Sequence, residues 1–92
     1  MRQSPGEYAL GQNYPNPFNP TTFITFELPE VAHVRLKIYN MLSQEVITLV
    51  DNDEEPGYKT ALFDASSLSS GVYLYRLQMG NSTEVKKMLL VR

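Results

Sequence analysis

The densest group of side chains able to perform chemistry is an acidic run near the middle of the 92-residue chain. Residues 51–55 read D-N-D-E-E, and clustered carboxylate and amide oxygens on a flexible loop suit Ca²⁺. The EF-hand pattern requires glycine at the sixth position, where this chain has Pro56. Asp51, Asp53 and Glu55 are therefore candidate calcium ligands. A solvated loop that keeps neighbouring strand edges apart is the favoured interpretation.

Catalytic groups are sparse. The chain has one histidine, His33, and no cysteine, which excludes disulfides, thiol nucleophiles and thiolate metal sites. A lone histidine at a polar strand position is interpreted as a surface residue. A serine cluster lacks both a neighbouring base and the G-x-S-x-G elbow of a hydrolase; its members are Ser66, Ser67, Ser69 and Ser70. The five glycines form no phosphate-binding loop. We predict that the domain is not an enzyme and needs no cofactor.

Composition and charge indicate a globular domain with no general attraction to nucleic acid. Apolar residues make up 42% of the chain and charged residues 20%, which is typical of folded proteins. The net charge of −2 gives no reason to expect nucleic-acid binding. No apolar run approaches the roughly 18 residues of a membrane span. Residues 1–6 lack the hydrophobic segment of a signal peptide, so an export signal would lie elsewhere on a larger parent protein.

Alternation of apolar and polar side chains predicts an all-β fold with almost no helix. Six strands are expected, at residues 23–28, 33–39, 45–50, 59–63, 72–79 and 85–91. The strand at 45–50 is apolar on both faces, which predicts an enclosed position, and residues 51–57 are expected to form a long acidic loop. A seventh strand is expected from the proline-rich N-terminal stretch, as an edge segment. Together these indicate an immunoglobulin-like antiparallel β-sandwich of about seven strands.

One local motif supports this fold independently. Residues 68–73 have the L-x-x-G-x-Y spacing of a tyrosine corner, in which the hydroxyl of Tyr73 bonds back to the backbone. Two positions further on, Tyr75 stands where an antibody domain has a cysteine. We therefore expect the two sheets to be held together by packing alone.

The order of several segments resembles the C-terminal sorting domains of the bacterial type IX secretion system, also called the Por secretion system family. The decapeptide at residues 13–22, N-Y-P-N-P-F-N-P-T-T, is similar to the N-terminal hallmark of that family. Strand-like segments follow at 24–29, 34–40 and 44–50, then the Gly71-Val72-Tyr73 motif and a basic-aliphatic end at 86–92. The resemblance covers residues 8–92, and it leaves residues 1–7 as a disordered or linker segment.

The resemblance implies a non-catalytic module that carries an upstream cargo domain of the same chain through the outer-membrane translocon. The expected partners are that translocon and a surface sortase-like peptidase, which removes the domain and attaches the cargo to lipopolysaccharide. The expected locations are the periplasm in transit and then the cell surface or exterior. The domain is expected to be a monomer without nucleic-acid partners or a transmembrane span.

Two stretches are expected to carry the sorting information. Three prolines in the N-terminal hallmark predict an extended, polyproline-like segment, which serves either recognition or protection of a sheet edge. The terminal strand could offer its backbone and charges to a receptor by strand addition, or could simply be the last core strand. The residues assigned to the sorting motif are Asn13, Pro15, Asn16, Pro17, Phe18, Asn19, Pro20, Gly71, Tyr73, Lys86, Lys87, Leu89, Val91 and Arg92.

Two other functions remain open from the sequence. Tyr14, Phe18, Tyr39 and Tyr58 could form a sugar-stacking face, which would make the domain a carbohydrate-binding or adhesive module of an extracellular glycosidase. The same aromatic residues could instead belong to the core or its rim. A structural immunoglobulin-like spacer is the third possibility. Glycan binding by the isolated domain would favour the carbohydrate-binding module. An internal position in the parent protein would favour the carbohydrate-binding module or the spacer over a sorting domain.

Overall fold

A computed structural model describes residues 6–92, within which all regular structure is β-strand. The predicted all-β class and the count of about seven strands are confirmed. No helix suited to crossing a membrane occurs in this range. The predicted linker at 1–7 falls largely on residues 1–5, which lie outside the described residues. The strands are β1 (Ala9–Leu10), β2 (Thr21–Leu28), β3 (Ala32–Tyr39), β4 (Glu45–Glu54), β5 (Gly57–Asp64), β6 (Gly71–Met79) and β7 (Ser82–Leu90).

The strands form two antiparallel sheets packed as a sandwich. One sheet has the order β1-β2-β5 and the other the order β4-β3-β6-β7. A constant-type immunoglobulin domain places its fourth strand in the first sheet, whereas here β4 stays beside β3. The four-stranded sheet therefore ends in β4 on one side and β7 on the other. The predicted immunoglobulin-like sandwich is confirmed with this difference in strand distribution.

The core lies between the sheets and follows the predicted alternation. In β2, β3 and β6 every second side chain is fully buried, so one face of each strand packs inward and the other meets solvent. Burial of such side chains contributes about 1.5–3 kcal/mol each. The buried apolar residues are Leu10, Phe18, Ile24, Phe26, Leu28, Val34, Leu36, Ile38, Phe63, Ala65, Tyr73, Tyr75, Leu77, Met79, Met88 and Leu90.

The prediction of an enclosed strand at 45–50 is wrong. Strand β4 pairs only with β3 and forms an exposed edge, where Val46 and Ile47 remain 37% and 40% exposed. The expected acidic loop at 51–57 is also wrong, because β4 continues to Glu54 and β5 begins at Gly57. Asp51 and Asp53 are strand residues opposite Arg35 and His33, and these cross-strand pairs extend the ladder into the acidic run.

The seventh strand is not the proline-rich stretch. It is β1, whose Ala9 and Leu10 pair with Glu27 and Phe26 of β2. The proline-rich residues follow β1 and are bent rather than straight between residues 15 and 20. The expected polyproline-like edge segment is therefore replaced by a connection that turns between β1 and β2.

Candidate functional site

The segment between β1 and β2, residues 11–20, is called the strap because it contacts both sheets. Tyr14 forms an antiparallel bridge with Phe23 of β2, with both N···O distances at 2.9 Å. Further along, the N–H of Phe18 donates to the carbonyl of Leu89, and the N–H of Val91 donates to the carbonyl of Phe18, each over 2.9 Å. The strap thus joins β2 of one sheet to the end of β7 in the other.

Two strap side chains extend this contact along the outer edge of β7. The backbone N–H of Leu89 donates to Oδ1 of Asn16 over 2.9 Å, across 73 sequence positions. The Nε2 group of Gln12 donates to the carbonyl of Lys87 over 2.8 Å. The structure therefore brings the two stretches assigned to the sorting motif side by side, although they lie at opposite ends of the sequence.

A buried polar network fixes the shape of the strap. Asn13 and Thr22 are buried, with exposures of 2% and 0%. The Nδ2 group of Asn13 donates to Oγ1 of Thr22 over 3.0 Å and to the carbonyl of Pro15 over 3.2 Å. The hydroxyl of Thr22 donates to the same carbonyl over 2.9 Å. Among the described residues, every buried side-chain nitrogen and oxygen has a partner, so the network fixes the strap without leaving an unpaired group.

Tyr75 of β6 ties the strap to the four-stranded sheet. Its hydroxyl accepts a hydrogen bond from the N–H of Asn13 over 2.8 Å and donates one to the carbonyl of Gly11 over 2.9 Å. Burial raises the pKa of Tyr75, an effect that the bond from Asn13 opposes. The expectation that packing alone joins the sheets is therefore wrong: hydrogen bonds connect them at the position where an antibody domain has a cysteine.

Phe18 and the prolines close the end of the sandwich. Phe18 is 2% exposed, and its ring centroid lies 6.0 Å from that of Phe63. The carbonyl of Pro20 accepts a bond from the N–H of Ala65 over 2.8 Å. The peptide bonds preceding Pro15, Pro17 and Pro20 are cis. Phe18 and Pro20 thus act in packing, whereas Pro17 and Asn19 lie exposed on the surface of the strap.

The predicted tyrosine corner is confirmed. The hydroxyl of Tyr73 donates to the carbonyl of Ser69 over 2.7 Å. Gly71, which precedes it in the motif, has a φ of 150°, a value that residues with a Cβ atom rarely adopt. A Cβ built at Gly71 has no heavy atom within 4 Å, so backbone conformation and not space requires glycine there.

The last residue of the chain stabilises the loop between β5 and β6. The Nη2 group of Arg92 donates to the carbonyls of Ala65, Ser66 and Leu68. This loop leads into the tyrosine corner, so Arg92 and Tyr73 restrain the same end of the sandwich. The positive charge of Arg92 is therefore directed at backbone carbonyls of its own domain.

Three exposed residues of the predicted sorting motif, Asn16, Lys87 and Leu89, line a shallow groove of about 300 Å³. Leu89 and Val72 face each other across β6 and β7 and are 37% and 38% exposed, while Met41 is 61% exposed. Val91 lies just beyond β7 and is 40% exposed. The groove is mainly apolar, with one ammonium group and one amide at its rim, and its lining residues are Asn16, Met41, Val72, Lys87, Met88 and Leu89.

The acidic run forms ion pairs instead of an open carboxylate cluster. Nε2 of His33 lies 2.6 Å from Oδ1 of Asp51, and Nδ1 of His33 lies 2.8 Å from Oδ1 of Asp53. Nε of Arg35 lies 3.4 Å from the same Asp51 oxygen. These bonds raise the pKa of His33, through Asp51 first and Asp53 second, and the bond with His33 lowers the pKa of Asp51.

Two of the three candidate calcium ligands are engaged in these ion pairs. Asp51 and Asp53 already face cations, and Glu55 lies exposed in the turn between β4 and β5. Within residues 6–92 no group of three histidine, aspartate or glutamate side chains is placed to hold a metal ion. The sequence predicts His33 to be a plain surface residue, and this cluster could not be predicted because it depends on the register of β3 with β4.

The four aromatic residues considered for sugar stacking do not share a face. Phe18 is in the core. Tyr39 lies on the outer face of the four-stranded sheet, 5.1 Å from the guanidinium carbon of Arg76. Tyr58 belongs to β5 in the other sheet, and Tyr14 is on the strap. No observation here favours a carbohydrate-binding platform made of these four side chains.

The family comparison covers most of the chain, including β2 to β7 and all of the strap except Gly11. A family model described as "Secretion system C-terminal sorting domain" matches residues 12–91. A comparison with curated proteins gives no match. The matched range includes the whole buried network, both sides of the groove and the tyrosine corner.

Proposed function

The chain belongs to the secretion system C-terminal sorting domain family, and from this premise we propose how its structure serves sorting. The domain is a non-catalytic signal of the type IX system. It directs a larger cargo protein through the outer-membrane translocon and to attachment at the cell surface. Its partners are the translocon, a surface sortase-like peptidase and the cargo domain of the same chain.

The observation that carries this proposal is the pairing of the strap with β7. Asn16 and Phe18 of the strap bond to Leu89 and Val91 at the far end of the sequence. The two stretches that mark the family therefore form one surface. A receptor that reads this surface recognises the folded domain, since neither stretch alone presents the groove.

The residues of the motif divide into two roles under this proposal. Those that are buried or bonded internally hold the surface in shape: Asn13, Pro15, Phe18, Pro20, Gly71, Tyr73 and Arg92. Asn16 belongs to both groups, because it is exposed and also bonded to Leu89. The remaining residues are exposed or half-buried and are available for contact: Pro17, Asn19, Lys86, Lys87, Leu89 and Val91. The apolar side chains at the groove suit an apolar anchor of the receptor, and Lys87 suits an acidic group beside it.

The test is a reporter protein fused to residues 8–92 and expressed in a type IX-competent host, with and without a working translocon. We expect surface delivery only when the translocon works. Leu89→Asp should lower delivery about ten-fold, because a charge in the apolar groove removes an anchoring contact. Leu62→Asp is the matched control, since Leu62 is 56% exposed on the other sheet and should leave delivery unchanged.

Export of the reporter without the translocon would refute the sorting function. Equal delivery by the two aspartate variants would refute the role of the groove. Deletion of residues 87–92 is a less specific test, because it also removes Met88 and Leu90 from the core. The point variants separate recognition from folding.

A further inference from the structure

The strap covers only half of the outer edge of β7. Carbonyl or N–H groups of residues 87, 89 and 91 point away from β6 and bond to the strap. Because backbone groups of alternate residues point to the same side of an antiparallel strand, those of Thr83 and Val85 also point outward. The register with β6 is regular from Gly71–Leu90 to Met79–Ser82, so this alternation holds along the whole strand.

The other half of this edge has no backbone hydrogen-bond partner among residues 6–92, although β1 of the facing sheet lies beside β7. β7 is the last strand of its sheet, and within residues 6–92 no backbone group pairs with the outward groups of Thr83 and Val85. Both residues are exposed. The outward N–H and C=O groups of these residues and the N–H of Lys87 form a short, unpaired strand edge. Such an edge is a template for an added strand.

The charges beside this unpaired edge are mostly positive. Lys86 and Lys87 belong to β7. Arg76 stands opposite Val85 on β6, but its guanidinium group lies over the ring of Tyr39 on β3, away from this edge. Glu84 is the one acidic residue of β7. No ion pair of Lys86, Lys87 or Glu84 is present in the described part of the chain. At the opposite edge of the sheet, β4 carries Glu45, Asp51, Asp53 and Glu54.

We propose that residues 83–87 of β7 bind an extended, acidic segment of a partner protein as an additional β-strand. The inference rests on the proposed sorting function, and it names the partner as a component of the secretion machinery. Backbone hydrogen bonds to Thr83, Val85 and Lys87 hold the added strand, and the two lysines of β7 select for carboxylates. On the adjacent half of the same edge, the strap forms one backbone bridge at Phe18 and two side-chain bonds.

A second copy of the domain fits this edge less well. Two copies of β7 would bring two sets of Lys86 and Lys87 together, with only the two Glu84 carboxylates against them. An acidic strand meets no such repulsion. The carboxylates on the acidic edge of β4 in another copy already have partners in His33, Arg35, Lys37 and Lys59.

The decisive variant is Val85→Pro. Proline removes the outward N–H, but it breaks no bond to β6, and edge strands tolerate proline whose nitrogen faces solvent. Val85→Thr keeps the N–H and the β-branched shape and is the matched control. We expect Val85→Pro to melt within a few degrees of wild type and to deliver the reporter about ten-fold less efficiently. Thr83→Pro should act in the same way and replaces it if Val85→Pro does not fold.

The probe in solution is a blocked seven-residue peptide of alternating valine and glutamate, titrated into the isotopically labelled domain. We expect shifts at the amide resonances of Thr83, Val85 and Lys87. Binding should be about ten-fold weaker for the matched peptide with lysine in place of glutamate, and it should weaken with added salt. Normal delivery by both proline variants, equal binding of the two peptides, or dimerisation through this edge would overturn the inference.

The two proposals fail in different ways. If wild-type delivery does not depend on the translocon, the sorting function fails, and the peptide titration alone decides the strand-addition inference. If wild type is delivered but folded Val85→Pro is delivered equally well, only the strand-addition inference fails.

Discussion

The phenolic oxygen of Tyr75 accepts a hydrogen bond from the backbone N–H of Asn13 over 2.8 Å. The same hydroxyl donates to Gly11, so one side chain of the four-stranded sheet fixes the chain as it leaves the other sheet. This is the position at which an antibody domain forms an inter-sheet disulfide. The chain contains no cysteine, and a phenol connects the two sheets instead.

Tyr75→Phe should destabilise the domain by about 1–3 kcal/mol, since the buried N–H of Asn13 loses its partner. In a domain of this size, each kcal/mol of lost stability lowers the melting temperature by about 4–8 °C. The control is Tyr14→Phe, because Tyr14 is 78% exposed; its effect should stay within about 0.5 kcal/mol. Equal melting temperatures for the two variants would contradict the role of the hydroxyl.

Thr22→Val should destabilise the domain by a similar amount, about 1–3 kcal/mol. Valine keeps the shape of the side chain but leaves Asn13 without the oxygen that accepts its Nδ2 bond. Thr22→Ser retains the hydroxyl and should recover most of the loss. Chemical denaturation of wild type and the two variants measures their free energies of unfolding. If the serine variant is no more stable than the valine variant, the hydrogen-bond network does not stabilise the domain.

Asn16→Ala should release part of the strap from β7 without unfolding the domain. Its side chain accepts the bond from the N–H of Leu89, so hydrogen exchange at that amide should accelerate. The loss of global stability should stay near 1 kcal/mol, because Asn16 is exposed. Asn19→Ala is the control, and unchanged exchange at Leu89 in Asn16→Ala argues against the contact.

The pairing of His33 with Asp51 predicts a pH-dependent stability. The pKa of His33 is raised above its ordinary value of 6.5, so its contribution is present below that pH and is lost as pH rises through the raised value. The pKa of Asp51 is lowered from 3.8, so its contribution is lost as pH falls through that lower value. The melting temperature of wild type should exceed that of His33→Gln most clearly between these limits.

The measurement compares the two proteins at about pH 5 and about pH 9. The neighbouring charges that enter the comparison are Asp51, Asp53 and Arg35, all present in both proteins. A difference in melting temperature that does not shrink toward the higher pH would show that the ion pairs do not stabilise the strand pairing.

The strand pattern was predictable because one face of most strands is buried. Alternation in β2, β3 and β6 identified their inward residues correctly. Strand β4 was misplaced, since apolar residues on both faces are typical of enclosed strands and periodicity does not reveal how many neighbours a strand has. Its acidic end was taken for a loop, because aspartate and asparagine disfavour strands unless cross-strand partners such as His33 compensate.

The spacing around Tyr73 predicted the tyrosine corner, which the structure confirms. The sorting role of the two stretches stays a prediction, and their assembly could not be predicted from the sequence. The contact between Asn16 and Leu89 depends on a register that no local pattern encodes. The same holds for Tyr75, whose partners in the strap lie more than sixty residues away.

The separation between Asn16 and Leu89, 73 positions, also bears on the order of folding. Contacts between residues distant in sequence require closure of a long loop and form slowly. The hairpin of β6 and β7, joined through a short turn, can form early by comparison. Because the strap docks on β7, we expect the groove to be assembled after this hairpin. A receptor that binds this groove would then select chains that have finished folding over intermediates that expose the same residues.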